Sequence, residues 1–315
     1  MSAASSVGDL RIAVLVPCYN EEATVAQVVR EFHGAVPSAT IYVYDNNSTD
    51  GTIEAARCTG AIVRRETLQG KGNVVRRMFA DVDADVYVLV DGDATYAAGS
   101  APEMIERLVD DQLDMVVGCR VESGAAAYRP GHRFGNAMLT GFVAYLFGER
   151  FTDILSGYRV LSRRFVKSFP AVAKGFETET ELTVHALELR MPIAEVQTPY
   201  RSRPEGSLSK LSTYRDGVKI LWLIIMLYKN ERPFQFFGLI AVMLAGTSIG
   251  LAIPIVVEWT RTGLVPRLPT AVLATGIMIL AFLSVTAGLV LDTVTRGRQE
   301  IKRLHYLARP PLQKR

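Results

Sequence analysis

The chain has 315 residues, enough for one large domain and a smaller module, and its formal net charge is only +3. Hydrophobic residues make up 49% of the chain and the mean hydropathy is +0.18, which is high for a water-soluble protein. Because the net charge is small and the basic residues gather near two C-terminal apolar runs, anionic lipid or phosphate is favoured over nucleic acid as a partner.

Short apolar runs alternate with helical patterns along the N-terminal part of the chain. The predicted strands are residues 12–16, 41–44, 61–63, 86–90 and 115–117. The predicted helices between them are residues 23–33, 52–57, 73–80 and 102–109. This alternation predicts an α/β fold with a mostly parallel sheet, in which ligands bind beyond the carboxyl ends of the strands. The first apolar run is too short for a signal peptide and ends at Pro17.

The first two predicted strands end in polar loops. Pro17-Cys18-Tyr19-Asn20-Glu21-Glu22 closes the first strand and opens a helix, which is the pattern of a strand-to-helix turn. The second strand ends in Asp45-Asn46-Asn47-Ser48-Thr49-Asp50-Gly51-Thr52. A capped turn with Asp50 or Ser48 at the helix N-cap explains that loop. The functional alternative is that Asp45 accepts hydrogen bonds from a nucleobase at the edge of the sheet.

Gly70-Lys71-Gly72-Asn73 precedes a predicted helix. The segment partly matches the glycine pattern of dinucleotide sites, but Val75 stands at the last glycine position and the preceding strand is not the first. Both differences disfavour such a site. A lysine between two glycines at a helix start still suits a diphosphate.

Asp91-Gly92-Asp93 directly follows the predicted strand 86–90. Two carboxylates at that edge of a sheet suit a hard divalent cation that also holds a phosphate. The alternative is an ordinary surface turn, because Asp and Gly are both turn residues.

Together these loops resemble glycosyltransferase family 2, whose members have the GT-A fold. The matching segments are residues 16–22, 45–52, 69–73 and 91–93. Four further segments, residues 118–120, 132–136, 153–159 and 203–211, resemble the polyprenyl-phosphate branch, which includes dolichyl-phosphate mannose synthase and bacterial undecaprenyl-phosphate glycosyltransferases. The resemblance implies a Rossmann-like GT-A catalytic domain that moves one sugar from a nucleotide sugar onto polyprenyl phosphate with inversion.

The resemblance also implies roles for matching residues. Those implied to bind the donor are Pro17, Tyr19, Glu21, Asp45, Lys71, Arg203 and Lys210, with Asp45 on the base. Asp91 and Asp93 face the diphosphate, and Asp93 is the more direct ligand of Mg²⁺ or Mn²⁺. The residues implied to grip the acceptor phosphate are Arg120, His132 and Arg133. The catalytic set is then Asp91, Asp93, Arg120 and Arg133.

The chain departs from the mannose synthases at three positions. Cys119 stands where the branch often has Ser, Thr95 where the mannose enzymes usually have Gln, and His132 where they tend to have Ser. A UDP-linked hexose or N-acetylhexosamine is therefore the favoured donor, with GDP-mannose as the alternative.

Three glutamates alternate at a predicted helix start: Glu177, Glu179 and Glu181. Carboxylates are favoured there by the helix dipole, and we prefer this interpretation over a catalytic role on the acceptor side. Asp153 is interpreted as orienting a loop or contacting the sugar or the metal.

Two uncharged apolar runs, residues 234–257 and 268–291, are each long enough to span a bilayer. Residues 217–228 form a shorter apolar run, which predicts an interfacial helix; burial against the catalytic domain is the alternative. Lysines and arginines flank the pair of spans on both outer sides, whereas the connection between the spans holds only Arg261 and Arg267. By the positive-inside rule, the catalytic domain and both termini face the cytoplasm.

The predicted organisation is a cytoplasmic GT-A domain (1–211), an interfacial helix (212–232), a two-helix transmembrane hairpin (233–292) and a basic tail (293–315). Two other functions compete with single-sugar transfer. A processive polysaccharide synthase is disfavoured because neither tryptophan follows a Gln-x-x-Arg-Trp element, and a non-catalytic assembly factor is disfavoured by the intact acidic and basic set. Whether the spans pack within one chain or between chains of a homo-oligomer stays open.

Overall fold

The computed structural model describes residues 10–122, 130–148, 151–172, 177–201 and 213–312, with residues 122, 130–137 and 213–220 described by their backbone only. The chain divides into two compact units, Met1–Ile220 together with Lys302–Arg315, and Leu221–Ile301. The first unit contains the sheet, and the second contains long apolar helices.

Within the described residues, seven strands form one mixed sheet. The strands are β1 (Ile12–Cys18), β2 (Thr40–Asp45), β3 (Ile62–Arg65), β4 (Val86–Leu89), β5 (Met115–Glu122), β6 (Arg159–Ser162) and β7 (Ile193–Tyr200). Their spatial order is β3-β2-β1-β4-β6-β5-β7. The pairs are parallel except at β6, which runs antiparallel to both β4 and β5. The predicted α/β class is therefore confirmed.

Helices cover both faces of the sheet. Those of the first unit are α1 (Val25–Ala35), α2 (Thr52–Arg57), α3 (Lys71–Asp81), α4 (Ala101–Asp110), α5 (Pro130–Phe147), α6 (Arg163–Ser168) and α7 (Thr178–Glu188). Val14, Leu15 and Val16 of β1 are all completely buried, although successive side chains of a strand point to opposite faces. Burial on both faces explains why the central strands read as continuous apolar runs rather than alternating ones.

The strand order places a topological switch point between β1 and β4. The chain moves from β1 to β2 on one side and later returns to β4 on the other. In open α/β sheets the crevice at such a point is where ligands bind. The antiparallel strand β6 adds a second loop to this edge, because its first residue, Arg159, pairs with Leu89 at the end of β4.

The second unit consists of helices with many exposed apolar side chains. They are the C-terminal part of α8 (Thr213–Glu231), α9 (Pro233–Thr262) and α10 (Leu268–Leu307), of which α9 and α10 are long and apolar enough to cross a membrane. Ser248 Oγ of α9 donates to the carbonyl oxygen of Ala274 in α10 at 2.7 Å. Small residues let such helices pack closely, and a Cβ at Gly288 would lie 3.1 Å from Phe237. Val242 and Phe282 are about as exposed as surface residues, which in water would be costly and suits a lipid environment.

Helix α10 continues beyond the apolar run, and its last turns belong to the first unit. There Tyr306 Oη donates to Asp114 Oδ2 at 2.8 Å, and Lys302 Nζ lies 2.5 Å from Glu188 Oε2. Asp114 is completely buried and also pairs with Arg164 of α6. Lys302 and Tyr306 are thus attached to the first unit through buried carboxylates.

Candidate active site

The loops that follow β1 and β2 are joined by hydrogen bonds. The backbone N–H of Glu21 donates to Thr52 Oγ1 at 2.9 Å, and that of Asn20 donates to Ser48 Oγ at 2.9 Å. Asn20 returns the contact by accepting from the backbone N–H of Thr49 at 2.8 Å. Asn20 has a positive φ of 52°, a conformation that Asn tolerates better than most residues. These bonds fix the two loops against each other at the edge of the sheet.

Asp45, the last residue of β2, is 1% exposed. Its two carboxylate oxygens accept from the backbone N–H of Ser48 at 3.3 and 3.2 Å, and Arg65 Nε lies 3.8 Å from Oδ2. The carboxylate thus closes a local turn by accepting from the backbone three residues further on. The N-cap of α2 is Gly51 and not the predicted Asp50 or Ser48. The same group stands where the sequence places a nucleobase contact, and the turn does not exclude that role.

Asn46 fastens the loop that leads into α3. Its side-chain amide donates to the carbonyl oxygens of Glu66 at 3.0 Å and Leu68 at 2.8 Å. Its side-chain oxygen accepts from the backbone N–H of Gly70 at 2.7 Å. Gly70 has φ of 125°, a conformation that L side chains rarely adopt, so glycine is needed where the chain turns into α3. Asn46 and Gly70 therefore fix where Lys71 begins the helix.

The ammonium group of Lys71 joins two carboxylates in the interior of the site. Lys71 Nζ lies 2.5 Å from Asp91 Oδ1 and also pairs with Glu179 Oε1 of α7. Burial lowers the pKa of Lys71, but the charges of the two carboxylates and the hydrogen bonds to them outweigh burial and raise the pKa well above its ordinary value. The site therefore holds a permanent positive charge beside Asp91.

Gly157 makes room for the Asp91 carboxylate. A Cβ at this position would overlap both Oδ2 and Cγ of Asp91. Gly157 lies in the loop before β6 that the antiparallel strand brings to this edge, and its backbone N–H donates to Tyr96 Oη at 2.9 Å. The second glycine at the site is Gly92, where a Cβ would lie 2.6 Å from Cys18 Sγ. Close approach, rather than backbone flexibility, requires both glycines.

Asp93 is 5% exposed, and Thr95 binds one of its oxygens. Asp93 Oδ1 accepts from Thr95 Oγ1 at 2.6 Å and from the Thr95 backbone N–H at 3.2 Å. Among the described residues, no three side chains of His, Cys, Asp or Glu gather into a cation cage. The carboxylates of Asp91 and Asp93 fit Mg²⁺ or Mn²⁺ only as an ion that substrate phosphate oxygens help to hold, which is the usual way Mg²⁺ is bound.

Arg120 of β5 forms a buried bidentate pair with Asp153. Arg120 Nε lies 2.6 Å from Asp153 Oδ2, and Nη2 donates to Oδ1 at 2.8 Å. The guanidinium also lies over the Tyr200 ring, 5.5 Å from its centroid. Asp153, interpreted above as orienting a loop or contacting the sugar or the metal, lies against this arginine in the structure.

Tyr96 connects the acidic pair to Arg120. Its hydroxyl bonds Gly157, which touches Asp91, and its ring contacts the Tyr200 ring at a centroid distance of 5.4 Å. Burial raises the pKa of Tyr96, and the charges of Arg120 and Asp91 both act on it. Asp91 and Arg120 thus belong to one cluster.

Arg159 is a completely buried cation under this cluster. It donates to the carbonyl oxygens of Ser156 at 3.0 Å and Ile154 at 2.7 Å, and to Thr183 Oγ1 of α7 at 2.9 Å. Burial lowers its pKa, while an arginine still stays charged. Arg159 therefore ties the loop carrying Asp153 and Gly157 to the helix carrying Glu179.

The structure describes some of the remaining predicted site residues and not others. Pro17 pairs with Tyr44 in the sheet register, Tyr19 is 37% exposed just beyond β1, and Glu21 lies in the joined loops. The backbone of His132 and Arg133 lies in α5 without described side chains. Arg203 and Lys210 lie outside the described residues.

Three contacts of the site were not predicted from the sequence: Glu179 with Lys71, Asp153 with Arg120, and Arg159 with Thr183. Each joins two residues more than 20 positions apart in the chain, so no local spacing points to it. Glu179 carried a weak signal, the alternation of glutamates, which the helix dipole explains equally well.

Comparison with known proteins places this cluster in a family. The sequence model described as "Glycosyl transferase family 2" matches residues 13–168. Glycosyltransferase AglJ of Haloferax volcanii is 32% identical over 305 residues, which cover 94% of this chain and 98% of that protein. A protein of the same organism named dolichyl-phosphate hexose transferase is 28% identical over 221 residues, or 70% of this chain and 95% of that protein.

A solved structure shares the fold of the first unit. Glucosyl-3-phosphoglycerate synthase from Mycobacterium tuberculosis, in complex with Mn²⁺, UDP and glucosyl-3-phosphoglycerate, has a TM-score of 0.57 and 24% sequence identity. The match covers 70% of this chain and 81% of that one. Since a near full-length relative, the matching sequence model and a GT-A-like fold all agree with the motifs at the sheet edge, the chain belongs to glycosyltransferase family 2 and is an enzyme of that class.

Proposed function

We propose that this glycosyltransferase moves a single sugar from a nucleotide sugar to polyprenyl phosphate at the cytoplasmic face of a membrane. One observation carries the proposal: a buried ammonium, Lys71, and a bidentate-paired guanidinium, Arg120, belong to the same cluster as Asp91. Two fixed cations in one crevice suit a reaction in which both the leaving group and the acceptor are phosphates. The name of the dolichyl-phosphate hexose transferase relative supports the acceptor class.

In the proposed donor site, the loops after β1 and β2 hold the nucleoside, with Pro17, Tyr19 and Glu21 along it and Asp45 on the base. The two loops are held together by hydrogen bonds between their own residues, which supports a pocket that is already formed before the nucleoside binds. Lys71, Arg203 and Lys210 neutralise the diphosphate. Since UDP appears with Mn²⁺ in the mycobacterial fold neighbour, and Thr95 and His132 depart from the mannose enzymes, a UDP-hexose or UDP-N-acetylhexosamine is the favoured donor, ahead of GDP-mannose.

Asp93, with Asp91, would hold Mg²⁺ or Mn²⁺ against the donor diphosphate. The bound ion would supply Lewis-acid stabilisation of the charge that develops on the leaving diphosphate. Thr95 orients the Asp93 carboxylate for this purpose through its two hydrogen bonds to Oδ1.

The chemistry is one displacement at the anomeric carbon. An oxygen of the acceptor phosphate forms the new bond to that carbon while the bond to the donor diphosphate breaks, and the electron pair leaves with the diphosphate. Because the acceptor oxygen is already anionic, no proton has to be removed and no strong base is required. Arg120, His132 and Arg133 would position the acceptor, and an in-line attack inverts the anomeric configuration.

We assign the catalytic domain to residues 1–211, an interfacial helix to 212–232, the transmembrane hairpin to 233–292 and a basic tail to 293–315. The two long apolar helices support membrane attachment. Arginines and lysines on the outer sides of the hairpin support a cytoplasmic catalytic domain, because positive residues are retained on that side.

Full-length protein in detergent, incubated with undecaprenyl phosphate, Mn²⁺ and each of several UDP-sugars or GDP-mannose, tests this function. We expect one donor to give a lipid carrying a single sugar, detected by mass spectrometry, with the opposite anomeric configuration to the donor. Polymer formation would instead indicate a processive synthase, and no lipid product from any donor would indicate a non-catalytic assembly factor. Chelation of the divalent ion should abolish product formation, and added Mn²⁺ or Mg²⁺ should restore it.

A further inference from the structure

We infer that Glu179 is a positioning residue of the donor site, which holds the Lys71 ammonium in place for the donor diphosphate. The inference rests on the proposed function in one respect, that Lys71 faces that diphosphate. Glu179 does not itself touch substrate in this assignment; it acts through Lys71.

Burial makes a second carboxylate necessary. The Lys71 side chain is only 14% exposed and that of Glu179 8%, so neither charge is well solvated by water. A buried charge needs a partner and good hydrogen bonds to offset its lost hydration. Asp91 is the more exposed partner of Lys71, at 29%, and is the one proposed to meet the donor and its ion. Glu179 is then the partner that can remain paired with Lys71 when the donor and its ion bind at Asp91.

Helix α7, which carries Glu179, is held in place by hydrogen bonds through Thr183. Thr183, one turn further along α7, donates its Oγ1 to the Glu179 carbonyl oxygen at 3.1 Å. The same Thr183 oxygen accepts from the buried Arg159 at 2.9 Å. Since Arg159 also binds the loop that carries Gly157, the carboxylates of Glu179 and Asp91 are held at a fixed separation on either side of Lys71.

A helix-dipole role alone does not account for this arrangement. Glu179 and Glu181 both lie in the first turn of α7, where the dipole favours each of them. Glu181 Oε1 accepts from the exposed backbone N–H of Val172 at 2.8 Å, whereas Glu179 pairs with the buried Lys71. A role as catalytic base does not fit either, because Lys71 engages the carboxylate and the attacking oxygen of the acceptor phosphate is already anionic.

Four full-length variants test the inference: Glu179→Gln, Lys71→Met, the double variant of both, and Glu181→Gln as the matched control. UDP and GDP binding, with and without Mn²⁺, is measured by calorimetry, and the KM values for donor and acceptor are measured separately. We expect Glu179→Gln to weaken binding of the cognate nucleoside diphosphate about tenfold or more and to raise the donor KM, with the acceptor KM unchanged. Glu181→Gln should change neither value by more than about twofold.

The double variant shows whether Glu179 acts through Lys71 or independently of it. Because Glu179 acts through Lys71, adding Glu179→Gln to Lys71→Met should cost no further affinity. Lys71→Met alone leaves the carboxylates of Asp91 and Glu179 without the cation they share, and the double variant removes one of these two charges. If Glu179→Gln fails to fold, as judged by circular dichroism, Glu179→Asp keeps the charge but withdraws it, and should weaken binding with the melting temperature retained.

Any of three results would overturn the inference. The first is an unchanged affinity of Glu179→Gln for the nucleoside diphosphate, and the second is a double variant whose loss of affinity is the product of the two single losses. The third is wild-type protein that binds no nucleoside diphosphate. The proposed function can fail separately. If the wild type binds a nucleoside diphosphate and responds to the substitutions as expected, but transfers no sugar from any donor, then the positioning role stands and the proposed reaction does not.

Discussion

At the scale of single residues, the way Arg120 is held limits how it can meet an acceptor. Its bidentate pair with Asp153 engages Nε and Nη2, and two parallel bonds of this kind set the plane of the guanidinium. The Tyr200 ring beneath the guanidinium restricts it further. A guanidinium fixed in one plane favours bidentate recognition of phosphate, which a lysine at this position would not reproduce.

This arrangement predicts that Asp153→Asn impairs the acceptor site. Loss of the carboxylate charge should release Arg120, and we expect kcat/KM for polyprenyl phosphate to fall about tenfold or more. The donor KM should stay within about twofold of the wild-type value, because Asp153 lies in a different loop from the residues assigned to the donor. Steady-state kinetics with each substrate varied in turn measures both values.

An exposed ion pair provides the control for that prediction. Arg107 and Asp111 lie one turn apart on α4, and such pairs contribute little. Asp111→Asn should therefore leave both kinetic constants within about twofold of wild type. An unchanged acceptor constant in Asp153→Asn would contradict the assignment of Arg120 to the acceptor phosphate.

The Gly157 position gives a second residue-scale prediction. In Gly157→Ala the new methyl group would overlap the Asp91 carboxylate, so this carboxylate must leave the position in which it pairs with Lys71. Misplacement of a reacting group by about 1 Å can cost a hundredfold in rate, and we expect a loss of about that size at saturating substrate. Gly99→Ala is the control, because a Cβ there meets nothing within 4 Å. Equal activity of the two variants would show that Asp91 has room to move without effect.

The sequence predicts the site residues that lie in short segments at strand ends, and it misses those that approach from elsewhere. Asp45, Lys71 and Asp91 each follow a strand, so their position at one edge follows from the parallel sheet alone. Glu179 reaches Lys71 across 108 residues of sequence. No periodicity encodes such a contact, because it depends on where α7 packs after the sheet has formed.

At the scale of elements, the starts of the first five strands were predicted to within one residue, whereas β5 runs to Glu122, beyond the predicted 115–117. The strands β6 and β7 were not predicted. The N-terminal strands are continuous apolar runs between clear turn signals. In contrast, β6 has Arg159 as its first residue, and β7 alternates polar and apolar residues with a proline near its end. A buried arginine that bonds loop carbonyls looks, in the sequence, like the end of an element rather than its beginning.

Helix α7 predicts a pH dependence of stability through His185. Burial, with the charge of Lys302 added, lowers the His185 pKa to about 3, and the ring is enclosed by Phe165, Phe169 and Ser168. The unfolded chain binds a proton near the ordinary pKa of about 6.5, so it gains protons before the folded state does. His185 therefore stabilises the fold fully above that pH, and its contribution is lost by up to about 1.4 kcal/mol per pH unit as the pH falls towards 3.

The measurement is the melting midpoint in detergent between about pH 5 and 7.5, a range above the ordinary carboxylate pKa values. His185→Phe retains the aromatic contacts and removes the titration, so its midpoint should fall less steeply below about pH 6.5 than that of the wild type. His33→Gln, at an exposed position on α1, should keep the wild-type slope. Parallel curves for wild type and His185→Phe would show that His185 is protonated without penalty in the folded state.

At the scale of the whole molecule, the chain ends in the unit in which it begins. Residues from Lys302 onwards belong to the first unit, where Tyr306 and Lys302 bind buried carboxylates, whereas residues 221–301 form the second unit. The sequence predicts the apolar part of the second unit from length and composition. It does not predict that α10 extends to Leu307, because the charged residues after 291 look like a solvated tail.

The distribution of charge predicts how the hairpin is oriented across the membrane. At the end of the hairpin where α9 connects to α10, the cations are Arg261 in the last turn of α9 and Arg267 just before α10, and Arg267 Nε lies 3.5 Å from Glu258 Oε2. Lysines and arginines are numerous on both outer sides of the hairpin. We therefore expect the connection to face away from the cytoplasm, with the catalytic unit inside. Leu264 lies in this connection and is 68% exposed, so Leu264→Cys places a reactive thiol at the loop.

Cys58 provides the internal marker for the opposite side, because it is exposed on the catalytic unit while Cys18 and Cys119 are buried. In right-side-out vesicles, a membrane-impermeant maleimide should label the Leu264→Cys variant and leave the wild type unlabelled. After permeabilisation, Cys58 should react in both proteins. Labelling of Cys58 in sealed vesicles, with Leu264→Cys protected, would reverse the orientation; protection of both thiols until permeabilisation would mean that the hairpin does not span the bilayer.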